Sequence, residues 1–84
     1  MDFAAAMERR DEFVYARIAG ELERAIRSGE IPPGAPVPSE KDLRDATGAG
    51  RNAVRQAIAH LRDRGILYTV PHLGSFAARE LPPE

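Results

Sequence analysis

Arg51, Asn52, Arg55 and Gln56 fall within six residues and share one chemistry, the donation of paired hydrogen bonds to planar, acceptor-rich groups. Arginine can pair bidentately with guanine edges, Asn and Gln with adenine, and guanidinium groups also hold phosphates. Their spacing matters as much as their type. Over Gly50–Gly65, Val54, Ala57, Ile58 and Leu61 recur at helical spacing and turn toward a core, which leaves Arg51, Asn52, Arg55, Gln56, Ala59 and Arg62 on the opposite side. One apolar face and one donor-rich face is the pattern of a helix that reads a DNA groove. Gly50 falls at its N-cap, where Ser or Thr caps better, and Gly65 is a left-handed stop.

Other chemistry finds no constellation to carry it. Ser39 is a helix cap, and a triad built from it with His60 or His72 lacks an oriented base and an oxyanion site. The absence of cysteine excludes disulfides, thiolate zinc sites and Cys nucleophiles. The sequence therefore reads as a non-enzyme with no cofactor and no metal. His60, at the edge of the outer face, is a packing or solvent residue; His72 is a turn residue or a phosphate contact.

The elements that must position the four donors follow from the chain on either side. Residues 1–10 carry Phe3, Ala4, Ala5, Ala6 and Met7 ahead of Glu8-Arg9-Arg10, and read as a helical extension or a mobile end. From Asp11, Val14, Tyr15, Ile18, Ala19, Leu22, Ala25 and Ile26 form an apolar stripe, closed by Ser28-Gly29. Charges outside the stripe form a solvated face with i,i+4 pairs such as Glu23 and Arg27, worth about 0.2–0.5 kcal/mol each. Pro32, Pro33, Pro36 and Pro38 exclude a long helix or a central strand, so this connector is extended or turning. Ser39 followed by Glu40-Lys41-Asp42 gives a shortened capping box for a helix over about 40–46, with Leu43 and Ala46 inward. Thr47-Gly48-Ala49-Gly50 then links it to the donor-bearing helix, which makes a helix-turn-helix. Ile66–Val70 and Ser75–Ala78, separated by Pro71-His72-Leu73-Gly74, predict a β-hairpin wing, and residues 79–84 a disordered tail.

Eighty-four residues allow one small domain, here residues 11–78, with a modest core. The net charge of −1 gives no support for a nucleic-acid partner. Its distribution does: from Lys41 to Arg64, six basic residues (Lys41, Arg44, Arg51, Arg55, Arg62, Arg64) face three acids (Asp42, Asp45, Asp63), a local balance of +3. No apolar run approaches a membrane span, and the acidic start is wrong for a signal peptide, so a soluble, cytoplasmic protein without a membrane partner is expected.

Ile31-Pro32-Pro33-Gly34, Pro38-Ser39-Glu40-Lys41-Asp42-Leu43, Gly48, Arg51, Val54-Arg55-Gln56-Ala57-Ile58, Leu61, Gly65-Ile66-Leu67 and Gly74-Ser75-Phe76 together resemble the winged-helix DNA-binding domain of the GntR family of bacterial transcription regulators. The resemblance covers about residues 13–78. It implies a mainly α (α+β) fold of three helices and a hairpin wing. It also implies that Lys41 contacts the DNA backbone, that Arg51 and Arg55 read bases beside Asn52 and Gln56, and that Gly74 approaches the minor groove. Several positions depart from the family pattern. Gly50 replaces a Ser or Thr, Asn52-Ala53 stands where Thr-Thr-like pairs are common, His72 replaces the first wing glycine, and the wing tip lacks Arg and Lys. Family members usually carry an effector or dimerising domain after the wing, so a stand-alone reader with no small-molecule effector is expected. The function implied is sequence-specific binding of double-stranded DNA, and a repressor at an inverted repeat is expected. Because one such helix reads only a few base pairs, two copies are expected to pair on the DNA, through the apolar N-terminal segment that lies outside the family pattern. The alternative is a protein–protein interaction module.

Overall fold

A computed structural model describes residues 3–84, with side chains from Phe13 onward. The first helix, α1, spans Phe3–Arg27 and runs without a break through Asp11. The side chains of Phe3, Ala4, Ala5, Ala6 and Met7, expected to offer a pairing surface, lie outside those described. Farther along, Ile18, Ala19, Leu22 and Ile26 are buried, with Val14 and Tyr15 packed at the margin. This is the stripe that helical spacing requires. The helix stops at Ser28-Gly29, where the Ser28 amide still bonds the Arg24 carbonyl (2.9 Å) and Gly29 turns left-handed at φ 86°.

The proline-rich connector is extended, as expected, and its path has a use. Gly34–Val37 lies antiparallel beside the wing: the Gly34 amide donates to Ala77 (2.9 Å), Ala77 to Ala35 (2.8 Å) and Val37 to Ser75 (2.9 Å). Pro36 stands opposite Phe76 between these bonds, at the position where no inward N–H is needed. Val37 points into the core.

The second helix, α2, spans Glu40–Thr47 and is capped by the Ser39 hydroxyl, which accepts from the Asp42 amide (3.0 Å). Gly48, at φ 72°, closes it by bonding the Arg44 carbonyl (2.8 Å). Leu43 is buried, but Ala46 is exposed, contrary to the inward placement expected from spacing. The helix is only 8 residues long, and its last turn borders an open groove against Val14, Arg17 and Ile18 of α1. Ala49, just past the turn, packs on the core instead.

The third helix, α3, spans Arg51–Asp63, and its Val54, Ala57 and Leu61 are sealed from solvent. Strands β1 (Leu67–Val70) and β2 (Gly74–Ala77) pair antiparallel, with Leu67 opposite Ala77 and Thr69 opposite Ser75. Ile66, Leu67 and Ala77 complete the core. The outer face of the hairpin carries Tyr68 stacked on Phe76 at 5.6 Å. Three helices and a two-stranded wing are therefore the observed architecture. Among the described residues no helix is long and apolar enough to cross a membrane.

Two further features differ from expectation. Residues 79–84, expected as a disordered tail, lie back on the body: Leu81 packs against the core and Glu84 approaches Arg27 (3.6 Å). The second is the pair Glu23–Arg27, expected on a solvated face. It is shielded, with side chains 18% and 16% exposed, and Arg27 Nε donates to Glu23 (2.8 Å). Arg64, 41 residues away, donates to the same carboxylate from both terminal guanidinium nitrogens, one of them at 3.1 Å. Arg64 first and Arg27 second hold the Glu23 carboxyl below its ordinary pKa, and Glu23 in turn raises that of Arg64. The end of α3 is thereby tied to the last turns of α1.

Candidate nucleic-acid interface

Burial divides α3 as its sequence periodicity requires. Ala53, Val54, Ala57, Ile58 and Leu61 are buried, while Arg51, Asn52, Arg55 and Gln56 are exposed along its first two turns. The rigid apolar side fixes the backbone from which the donors project, so their geometry is set before any ligand arrives. Ala53 is 1% exposed, so a small residue beside Asn52 lets the start of α3 sit close against the body. Gly50 takes the N-cap place at φ −75° and ψ 165° with no side-chain bond to the helix amides. Those first amides are left without a side-chain cap at the end that carries the four donors.

Lys41 is 77% exposed on the first turn of α2 and reaches Asp45 at 2.8 Å. Arg55 is 59% exposed, and its Nε lies 3.5 Å from Glu40. Both are exposed pairs of the kind worth little in water, so each cation can exchange its carboxylate for another anion at small cost. Arg55 and Glu40 also join α3 to the start of α2, next in sequence to Lys41. Arg51 has no carboxylate within ion-pair reach among the described residues.

His72 and Gly74 stand at the far end of the hairpin, and both are exposed. The Leu73 amide bonds the Val70 carbonyl (3.0 Å), which closes a turn with Pro71 and His72 at its centre. Proline fixes a negative φ at the first central place, and His72 takes φ 67° at the second. That combination is a type II turn, which favours glycine at the second central position. His72 therefore occupies a glycine position and carries its imidazole outward from the tip. Gly74 follows at φ 123°, a backbone state open chiefly to glycine.

The wing is not independent of α3. Arg62 Nη1 donates to Thr69 Oγ1 (3.2 Å), and Thr69 Oγ1 lies 2.9 Å from Ser75 Oγ. Neither hydroxyl was singled out in the sequence. Their pairing follows from hairpin register, which a turn of four undefined residues leaves open. His60 packs edge-on to Tyr15 at 5.9 Å, and so sits as a packing residue. Among the described residues no cluster of His, Asp and Glu is arranged to hold a metal ion.

Comparison with known proteins places this fold in a family. The profile of the family described as "Bacterial regulatory proteins, gntR family" matches residues 14–76. The repressor NagR of Bacillus subtilis is 35% identical over 66 residues, covering 79% of this chain and 27% of that protein. The Glc operon transcriptional activator of Escherichia coli is 39% identical over 62 residues, 74% of this chain and 24% of the activator. The chain thus spans about a quarter of the length of these relatives. Among solved structures, the DNA-binding domain of AraR in complex with an operator superposes with a TM-score of 0.75 at 35% identity, over 77% of this chain and 78% of that one. With the helix-turn-helix, the hairpin wing and the exposed donors in place, the chain belongs to the gntR family of bacterial regulatory proteins.

Proposed function

We propose that this chain binds double-stranded DNA sequence-specifically in the cytoplasm and regulates transcription, as a repressor that occludes a promoter at an inverted-repeat operator. The carrying observation is the division of α3, with Arg51, Asn52, Arg55 and Gln56 exposed opposite a sealed apolar face. Likeness to an operator-bound domain supports duplex DNA as the partner, and likeness to NagR supports repression. Lys41 and the wing residues His72 and Gly74 contact the backbone and the adjacent groove and so set register, while Arg51, Asn52, Arg55 and Gln56 choose bases. No catalytic step is assigned to any residue. One such helix reads only a few base pairs, so two copies pair on one site as a homodimer, and DNA supplies the effective concentration.

The test is selection of binding sites from random duplexes by the purified protein. The expected result is an enriched inverted repeat. Sedimentation on a full operator should then give two copies per duplex; a single copy bound as tightly as on a half-site rejects pairing. A second reading, a protein–protein interaction module, draws on the wing tip, where Pro71–Gly74 has no cation and Leu73 is 74% exposed. Failure to enrich any duplex at low salt would favour it.

A further inference from the structure

We infer that Arg62, Thr69 and Ser75 form a seat for one backbone phosphate of bound DNA, between the last turn of the reading helix and the wing. The inference rests on the reading of this chain as a duplex-DNA binder and adds a contact to it. Arg62 follows Arg51 and Arg55 by eleven and seven residues, which at ~100° per residue puts all three within about 40° of each other on one flank of α3. That flank leads from the base-reading turns toward the wing. It borders a cleft of about 220 Å³ whose walls include Ser39, Glu40, Arg62, Thr69, Gly74 and Ser75, so it opens where the start of α2, the reading helix and the wing converge.

Three features of this cleft suit an anion. The first is uncompensated charge: Arg27, Arg55 and Arg64 each meet a carboxylate, whereas among the described residues Arg62 meets none. The second is orientation. Arg62 Nη1 is held by the neutral Thr69 hydroxyl (3.2 Å), so the guanidinium is fixed without its charge being cancelled, and most of its five N–H donors remain to be used. The third is the hydroxyl pair. Thr69 and Ser75 share a single hydrogen bond at 2.9 Å, which uses one of their two protons and leaves the other to donate to a phosphate oxygen. Glu40, the one acid in the cleft, is turned to Arg55 (3.5 Å), and that cation offsets its repulsion of an incoming phosphate. A phosphate seated here would fix the angle between wing and helix on the DNA without reading sequence.

The experiment uses a duplex enriched from random sequence by the unsubstituted chain, with a scrambled duplex beside it, titrated over a range of salt. Arg62→Gln should weaken both duplexes by the same factor, about tenfold, and reduce the slope of log K against log salt by about 0.9, as loss of one phosphate contact requires. Thr69→Val should weaken both about threefold with the slope unchanged, because the charge stays. Single neutral methylphosphonates along the duplex backbone locate the contact. One position should cost the unsubstituted chain about tenfold and leave Arg62→Gln indifferent. Should Arg62→Gln fail to fold, the same position should show a reduced effect in Thr69→Val. A full-strength salt slope in Arg62→Gln, or no backbone position to which the variant has become indifferent, overturns the seat while leaving DNA binding intact. An unsubstituted chain that enriches no duplex brings down the DNA reading itself, and the seat with it, before any variant is made.

Discussion

The two ends of α3 use arginine in opposite ways. At its start, Arg51 and Arg55 project into solvent, and the nearest carboxylate to Arg55 sits at 3.5 Å on an exposed neighbour. Past its end, Arg64 is bound to Glu23, which also holds Arg27, in a cluster where Glu23 and Arg27 are more than four-fifths shielded. The same side chain is left exposed and exchangeable in one place and built into the assembly in the other. Residue type does not decide between them. What decides is whether the partner is local and wet, hence exchangeable, or distant in sequence and shielded, hence fixed. A helix whose far end is anchored to α1 can hold its near end still.

The largest expected effect removes the frame common to both ends. Leu61 is fully buried between them, and Leu61→Ala should cost about 2–5 kcal/mol of stability by urea unfolding. A loss below about 1 kcal/mol would mean that the ends are held independently of the core. Next, Arg55→Ala should weaken binding to a selected duplex by about 1–3 kcal/mol and to random DNA much less. Lys41→Ala should weaken both alike and lower the salt slope by about one. Equal losses for Arg55→Ala on both duplexes would remove the contrast between a base reader and a phosphate contact.

The opposite end should answer to pH. Because Arg64 and then Arg27 depress the Glu23 pKa, its contribution is fully present above the ordinary carboxylate range and is lost as pH falls through the depressed value. Glu23→Gln should therefore cost about 1 kcal/mol at neutral pH, after allowance for solvent screening of the exposed Arg64, and nothing once Glu23 is protonated in both states. A cost that stays constant from neutral to strongly acidic pH would show that shape rather than charge holds the seam. The smallest effect belongs to Gly50. A Cβ there meets nothing within 4 Å and the backbone is already extended, so Gly50→Ser should raise stability by about 0.5 kcal/mol. A loss of stability would show that the position is not an N-cap.

The local half of this comparison was legible in the sequence and the distant half was not. Val54, Ala57, Ile58 and Leu61 announce their face by spacing alone, and Ser39 announces its cap, because both signals act within one or two helical turns. Ala46 misled because an alanine at helical spacing says nothing about whether another element reaches it. Glu23 and Arg27 read as a solvated i,i+4 pair since nothing in the sequence reveals that Arg64 returns to them from 41 residues away. The Thr69–Ser75 pair and the packing of Leu81 were hidden for the same reason. Each depends on where the chain comes back, which local periodicity does not encode.

The connector beside the wing has a consequence for how copies of this domain meet. Gly34–Val37 occupies the outer flank of β2, and Pro36 sits where its nitrogen faces away from that strand. Proline has no hydrogen there to offer, and Pro38, two residues on, has none either. A strand from another molecule approaching this flank would find carbonyls but no matching donors at these places, and so could not extend the sheet by continuous pairing. The prolines that first marked the segment as unfit for a helix thus also terminate the sheet. They leave its open margin a poor template for self-association when the protein is concentrated.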